Sequence, residues 1–266
     1  MELTVYFINA FTEQVFKGNS AAVITTDTWL DENLMQSIAS ENNLSETAFV
    51  VKDDAGIYHI RWFSPLTEID FCGHATLASA YVLFQQKPSC EQLVFSAQAV
   101  GTVTVKQAAD GYIEMNFPSR KPEPVSTIPT ALLDGLSIKP EQVLKNQQAY
   151  LVVLKDETSV RIVKSDSELL KTLAPFDVMV TAPADSHDYD FVSRYFWPAN
   201  GGDEDPVTGS AHAGLTPYWA EQLNKQQLTA YQASKRGGHL LCQIHYDRVL
   251  VSGKAVQYLV GTIAVG

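Results

Sequence analysis

The sequence predicts an α+β protein built from two similar domains, each a mainly antiparallel sheet wrapped around a central helix. Three observations lead to this prediction: an internal repeat, short strands separated by turns, and a helix that is apolar nearly all round. The chain of 266 residues is 45% hydrophobic and 18% charged. It therefore has enough apolar material for a core, and its length fits one large domain or two smaller ones.

The internal repeat determines the domain organisation. The segment IRWFSP at 60–65 resembles VSRYFWP at 192–198, and each reads as an aromatic strand that ends at a proline. Each copy then passes through a loop containing acids to a glycine, Gly73 or Gly209, followed by a helix of small residues. Matches that recur in the same order indicate two copies of one unit. The alternative is two unrelated α+β halves with similar loops.

The repeat predicts an N-terminal domain at 1–118 and a C-terminal domain at 130–256. The segment 119–129 is rich in Pro and Ser, which is typical of a linker. A final strand at about 257–266 is a candidate addition to the first domain.

The pattern within each half favours strands that pair with their neighbours. In the first half, β-branched and aromatic runs are separated by short turns such as Asp110-Gly111, which is typical of antiparallel sheets. The helix after Gly73, ATLASAYVLF, has no polar face, so we expect it to be surrounded by protein. A sheet wrapped around this helix satisfies both patterns.

Composition excludes several classes of function. A net charge of −11 and a pI near 4.9 argue against a nucleic-acid-binding surface. The sequence contains no long apolar stretch and no basic region before its first apolar run, so we expect a cytoplasmic protein without membrane contact. Its three cysteines lack CxxC spacing, and it carries no P-loop, HExxH or dinucleotide motif. We therefore expect no metal and no cofactor.

Four side chains are candidates for chemistry, and each has a structural alternative. Glu46 lies at the entry to a strand of apolar residues. It is either a solvated strand end or a carboxylate in a cleft, where desolvation would raise its pKa and make it a stronger base. His74 begins the apolar helix, as a polar cap or as a ring that the helix dipole keeps neutral. Cys72 is a possible reactive thiol or a buried apolar residue. Asp205 is a loop acid or an orienting partner.

The two helix starts are candidate binding sites. Gly73-His74 and Gly209-Ser210 occupy corresponding places in the repeat, and a helix N-terminus offers unpaired N–H groups to a carboxylate or a developing enolate. Glycine at this point lets a ligand approach the backbone. The alternative is two ordinary capped helices.

Five segments occur in one order along most of the chain: FKGNSAAV (16–23), NNLSETAFV (42–50), DFCGHATLA (70–78), GGDEDPVTGSAH (201–212) and QASKRGG (232–238). Together they resemble the PhzF-like (phenazine biosynthesis protein F-like) isomerase family of the diaminopimelate epimerase-like superfamily. The resemblance implies two pseudo-symmetric domains with the site in the cleft, no cofactor, and commonly a homodimer.

The resemblance also implies roles for particular residues. The glutamate of the SETAF motif, Glu46 here, shuttles a proton between positions of a small unsaturated carboxylate. The resemblance also assigns substrate binding to a further set of residues, through their side chains or their backbone N–H groups. These residues are Asn19, Gly73, His74, Asp205, Gly209 and Ser210.

Two other functions stay open. An amino-acid racemase or epimerase of this superfamily uses a cysteine from each domain; Cys72 falls in the first loop, but the second loop, DEDPVTGS, has none. A racemase would therefore lack a thiol on one face of its substrate. The other alternative is a non-catalytic binding protein that retains the fold.

The sequence also departs from many members of this family at Ser20, where they have proline.

Overall fold

The computed structural model describes residues 1–108 and 110–266 and divides them into two units. The first unit combines Met1–Asn116 with Ser252–Gly266, and the second is Phe117–Val251. The proline-rich segment at 119–129 lies in the second unit. There Glu123–Pro124 form a short strand, which a proline permits because its missing N–H costs little at an edge.

The strands and helices follow one another in chain order. The first part of the first unit contains β1 (Glu2–Ala10), β2 (Asn19–Thr26), α1 (Glu32–Asn42), β3 (Glu46–Lys52), β4 (Tyr58–Phe63), β5 (Glu68–Ile69), α2 (Gly73–Gln86), β6 (Gln92–Ala97), β7 (Gly101–Gln107) and the start of β8 (Ile113–Pro118). The second unit contains β9 (Glu123–Pro124), α3 (Thr130–Asp134), β10 (Gln142–Lys145), β11 (Ala149–Val153), α4 (Glu157–Ile162), α5 (Ser167–Lys171), β12 (Asp177–Pro183), β13 (Phe191–Trp197), β14 (Gly202–Asp205), a 3₁₀ turn (Gly209–Ala211), α6 (His212–Leu223), β15 (Gln227–Gln232), β16 (Gly238–His245) and most of β17 (Arg248–Gly253). The chain then returns to the first unit in β18 (Ala255–Ala264).

Most neighbouring strands pair antiparallel, as predicted, but among the described residues each unit also contains two parallel pairs. In the first unit these are β2 with β3 and β4 with β6. In the second unit they are β11 with β12 and β13 with β15. A parallel pair needs a crossover, and helices lie between the paired strands in all four cases. The strand pattern alone did not predict these parallel pairs, because the pattern of a strand does not indicate which strand lies beside it. The connecting helices range from five residues in α5 to 14 in α2.

The helix α2 is central to the first unit. Nearly all its residues from Gly73 to Phe84 are buried, and it contacts β1, β2, β3, β7 and β18. This confirms the prediction of a helix surrounded by protein. On the other face of β1–β4, an apolar cluster joins the sheet to α1 through residues such as Met35, Phe49 and Phe63.

An arginine–glutamate pair recurs within each unit. In the first, Arg61 on β4 donates from Nε and Nη2 to the two carboxylate oxygens of Glu68 on β5, at 2.7 and 2.6 Å. In the second, Arg194 on β13 makes the same paired contact with Glu204 on β14, at 2.7 and 2.9 Å. Such two-point pairs fix both partners in one geometry. The repeat read from the sequence is thus present in the structure of each unit.

We expect Gly253→Ala to destabilise the first unit. A Cβ at this position would lie 2.3 Å from Cδ1 of Phe11, a fully buried side chain, and 3.3 Å from Leu77. Overpacking of this kind costs about 1–3 kcal/mol, measurable as a lower free energy of unfolding in urea. Gly261→Ala is the control, because its Cβ would make an ordinary 3.5 Å contact. Equal stability of the two variants would contradict the prediction.

Candidate active site

Glu46 and His74 form a buried carboxylate–imidazole pair in the first unit. Glu46 is the first residue of β3, as predicted, and His74 lies in the first turn of α2. Each residue is only 4% exposed, and Nε2 of His74 lies 2.9 Å from Oε2 of Glu46. Burying a carboxylate is costly without a partner, so the ring at this distance is what makes the position of Glu46 tolerable.

The Oε2 atom of Glu46 is not fully satisfied by this contact. The atoms are within hydrogen-bonding distance, but among the described residues no donor is aligned with Oε2. A buried acceptor without an aligned donor is uncommon in folded proteins. This oxygen therefore has lone-pair capacity left to accept a proton.

Cys72 is the N-cap of α2 and is held as a thiol. Its Sγ accepts from the backbone N–H of Ala75 at 3.5 Å and lies 3.3 Å from Nδ1 of His74. Burial, with the nearby charge of Glu46, raises the pKa of Cys72 to about 11. The activating effect of the helix N-terminus is outweighed because the side chain is removed from water.

His74 is subject to opposing effects. Burial disfavours the charged ring, whereas negative charge on both Cys72 and Glu46 would raise the pKa of His74 well above its ordinary value. Asn19 favours the neutral ring. Ser45 donates to Oδ1 of Asn19, so Nδ2 of Asn19 faces Nδ1 of His74, at 3.1 Å. An amide NH₂ only donates, so Nδ1 accepts and carries no proton. Because Cys72 is an uncharged thiol, hydrogen bonding decides the state, a neutral ring with its proton on Nε2 beside Glu46.

The same residues offer ligand atoms for a metal ion. One atom each from Glu46, Cys72 and His74 lie within 4.8 Å of one another. Thiolate, imidazole and carboxylate are ligands that zinc accepts. A thiol with a pKa of about 11 would first have to lose its proton, which weakens binding at neutral pH.

In the second unit, a buried glutamine holds the loop that carries Asp205. Gln232 donates from Nε2 to the carbonyl of Asp205 at 2.8 Å and accepts at Oε1 from the N–H of Thr208 at 2.8 Å. Thr208 Oγ1 in turn donates to the carboxylate of Asp205 at 2.5 Å. The sequence reasoning missed Gln232, although it is the first residue of the QASKRGG motif.

Gly209 and Ser210 lie in the 3₁₀ turn Gly209–Ala211, and the α-helix begins at His212. The predicted helix start is thus displaced by one 3₁₀ turn, whereas the start at Gly73 is confirmed. Gly209 is buried and Ser210 half-buried. Ser210 Oγ accepts from Nε2 of Gln148 at 3.0 Å, a partner that no motif indicated.

The predicted site residues therefore form two groups, one in each unit. Asn19, Cys72, Gly73 and His74 surround Glu46 in the first unit, while Asp205, Gly209 and Ser210 belong to one loop and turn in the second. Among the described residues, no helix is long and apolar enough to cross a membrane.

Comparison with known proteins identifies proteins that this chain resembles over its whole length. The family described as phenazine biosynthesis-like protein matches residues 8–261. The chain is 47% identical to an uncharacterized isomerase of Pseudomonas aeruginosa over 99% of both chains. It is 44% identical to a PhzF-family phenazine biosynthesis protein of Enterococcus faecalis, with a TM-score of 0.94 over 100% of both. A hydroxyproline epimerase of Agrobacterium vitis is 9% identical with a TM-score of 0.62, covering 99% and 93% of the chains, a likeness of fold alone.

The fold is thus of the diaminopimelate epimerase-like class: an α+β protein of two pseudo-symmetric domains, with a buried carboxylate–imidazole pair in the first. Within that class, the chain belongs to the PhzF-like, or phenazine biosynthesis-like, family. The resemblance carried by the five sequence motifs is confirmed.

His212, the first residue of α6, is also buried but neutral. Its Nδ1 lies 2.9 Å from the carbonyl of Thr208, so Nδ1 is the protonated nitrogen. Burial lowers the pKa of His212 to about 4. The ring therefore fixes the turn that contains Gly209 and Ser210 without adding charge.

We expect this histidine to make stability fall as the solution is acidified. Between the ordinary pKa of 6.5 and about 4, the unfolded chain binds a proton at His212 that the folded chain does not. The free energy of unfolding should then fall by up to about 1.4 kcal/mol per pH unit below pH 6. Urea unfolding at pH 7, 6 and 5 measures this slope.

The slope should flatten in His212→Asn, which keeps a donor for Thr208 but does not titrate. His187→Gln, at an exposed position, is the control and should keep the wild-type slope. Identical slopes in wild type and His212→Asn would contradict the assignment.

Proposed function

We propose that this protein is a cofactor-independent isomerase in which Glu46 moves a proton between two carbons of a small unsaturated carboxylic acid. The observation that carries the proposal is the buried Glu46 carboxylate, whose Oε2 lies 2.9 Å from Nε2 of His74 and lacks an aligned donor. A base used for carbon acids must be desolvated, yet held in a defined orientation. Family membership and the isomerase name of a close relative support the same reaction type.

The proposed reaction needs one carboxylate. Oε2 of Glu46 takes a proton from carbon as the C–H bond breaks, and the electron pair moves into the conjugated system towards the substrate carboxylate. The new O–H group of Glu46 then returns the proton to a second carbon on the same face. Nε2 of His74 lies 2.9 Å from Oε2, and the polar Nε2–H group stabilises the carboxylate form of Glu46 through this proximity without being aligned as a hydrogen-bond donor.

Substrate binding is assigned by family resemblance and supported by position. In the first unit, α2 begins at Gly73, where a helix N-terminus favours an anion, and Asn19 lies 3.1 Å from the ring of His74. In the second unit, the Asp205 loop is held by Gln232. The proposed binding residues are Asn19, Gly73, His74, Asp205, Gly209 and Ser210. A homodimer, a cytoplasmic location and a biosynthetic role are proposed on the same resemblance.

Glu46→Gln should abolish proton transfer while preserving the fold. The amide has the same shape but cannot accept the proton, and loss of a general base typically lowers the rate about 10²–10⁴-fold. A thermal-shift screen of small unsaturated carboxylic acids would identify a ligand, and deuterium incorporation from D₂O would measure transfer. Glu41→Gln, an exposed position on α1, is the control and should exchange as wild type does. Turnover that survives in Glu46→Gln would refute the mechanism.

The same variant separates an enzyme from a binding protein. A non-catalytic binder would retain its ligand in Glu46→Gln and would show no exchange even in the wild type.

Cys72→Ser tests the racemase alternative. The thiol is 3.3 Å from Nδ1 of His74, which would allow a proton relay, but its pKa of about 11 makes it a poor base at neutral pH. We therefore expect Cys72→Ser to keep exchange within a few-fold of wild type and the substrate's chirality to be unchanged by turnover. Racemisation that is lost in Cys72→Ser would favour the alternative.

A further inference from the structure

Asp177 occupies in the second unit the position that Glu46 occupies in the first. Glu46 opens β3 opposite Ala21 in a parallel pair, and Asp177 opens β12 opposite Ala149 in the corresponding parallel pair. In both units an antiparallel strand follows, β4 or β13. Asp177 is largely buried, and no sequence motif indicated it.

A chain of hydrogen bonds leads from Asp177 to Ser210. Tyr195 donates from its hydroxyl to Oδ2 of Asp177 at 2.6 Å, and Asn200 donates to Oδ1 at 2.8 Å. Nε2 of Gln148 lies 2.8 Å from the hydroxyl oxygen of Tyr195 and 3.0 Å from Oγ of Ser210. The single amide group of Gln148 therefore joins the two hydroxyl groups.

Each hydrogen bond of this network runs in one direction, from donor to acceptor. Asp177, as a carboxylate, only accepts, so Tyr195 donates to it and must accept from Gln148. Arg120 donates to Oε1 of Gln148 at 3.3 Å, which turns the NH₂ group towards both hydroxyls. The two N–H bonds of that group serve Tyr195 and Ser210, and Ser210 therefore accepts.

The direction leaves the hydroxyl hydrogen of Ser210 available. Ser210 is half-buried, and none of the described residues accepts a hydrogen bond from its Oγ. We propose that Asp177, Tyr195 and Gln148 are positioning residues that fix Ser210 as a hydrogen-bond donor to the substrate carboxylate. This rests on the proposed function for the identity of the acceptor, but the direction of the chain does not.

The packing around Gln148 supports a positioning role. Oδ1 of Asn146 accepts from the backbone N–H of Gln148 at 2.9 Å, and its Nδ2 donates to the carbonyl of Arg120 at 3.0 Å. This turn lies against α6 at Gly214, where a Cβ would be 2.5 Å from Nδ2 of Asn146. The backbone that carries Gln148 is thus held by contacts that are independent of its side chain.

Neutron diffraction from deuterium-exchanged crystals of the wild-type protein tests the direction without any ligand. We expect the Tyr195 deuteron to point at Asp177, the Gln148 deuterons to point at Tyr195 and Ser210, and the Ser210 deuteron to point away from Gln148. A Ser210 deuteron on the line to Gln148 would overturn the proposal, whatever the enzymatic activity.

Binding of crotonate, a small unsaturated carboxylate, tests the consequence by calorimetry. Tyr195→Phe removes the acceptor that Gln148 needs, and we expect the Kd of crotonate to rise about tenfold. The effect should vanish in a Ser210→Ala background, because the donor is then absent. Tyr218→Phe is the control: it removes a different hydroxyl of the second unit, which donates to Gln142, and should change Kd less than about twofold.

A merely structural network would behave differently. In that case Tyr195→Phe would lower thermal stability but leave the Kd of crotonate unchanged. Alternatively, the change in Kd would persist in the Ser210→Ala background. Either result would overturn the proposal. So would wild-type protein that binds crotonate no better than Ser210→Ala. Asp177→Asn, which is isosteric and able to donate to Tyr195, repeats the test should Tyr195→Phe fold poorly. Failure of Glu46 to transfer a proton would refute the proposed reaction and leave these outcomes unaffected.

Discussion

The burial of a carboxylate beside an imidazole is the interaction on which the rest of the first unit depends. Glu46 and His74 have no significant exposure to water, and each makes the burial of the other possible. The pair fixes the start of β3 against the start of α2. Asn19, at the start of β2, then fixes the proton on the ring. Three element ends meet at one point because the polar groups there must satisfy one another.

The second unit also buries an acidic side chain at the start of a strand, but with different neighbouring residues. Its buried acid, Asp177, lies at the corresponding end of a parallel strand pair, but its partners are the neutral groups of Tyr195 and Asn200. Burial raises the pKa of Asp177, and these two donors oppose that effect. A shared backbone frame thus holds a potential base in one unit and a hydrogen-bonding network in the other.

Sequence patterns predicted the elements better than their pairing. The repeat, the enclosed helix α2 and the entry of Glu46 into a strand all follow from local periodicity, which the structure confirms. The parallel pairs were missed because alternation along a strand indicates which residues face the core but not which strand lies beside it, nor in which direction. The start of α6 was misplaced because a 3₁₀ turn has no pattern distinct from a first helical turn.

The sequence by itself determined the family and the fold class, because five short motifs spread along the chain carry that information. Tertiary structure alone decided which of those residues touch and how they are protonated. Gln148 meets Ser210 across 62 positions of the chain, and Asn19 meets His74 across 55. The thiol of Cys72 stays protonated because it is buried, and burial depends on the packing of whole elements. Contacts and protonation are collective properties of the folded chain, so no local pattern records them.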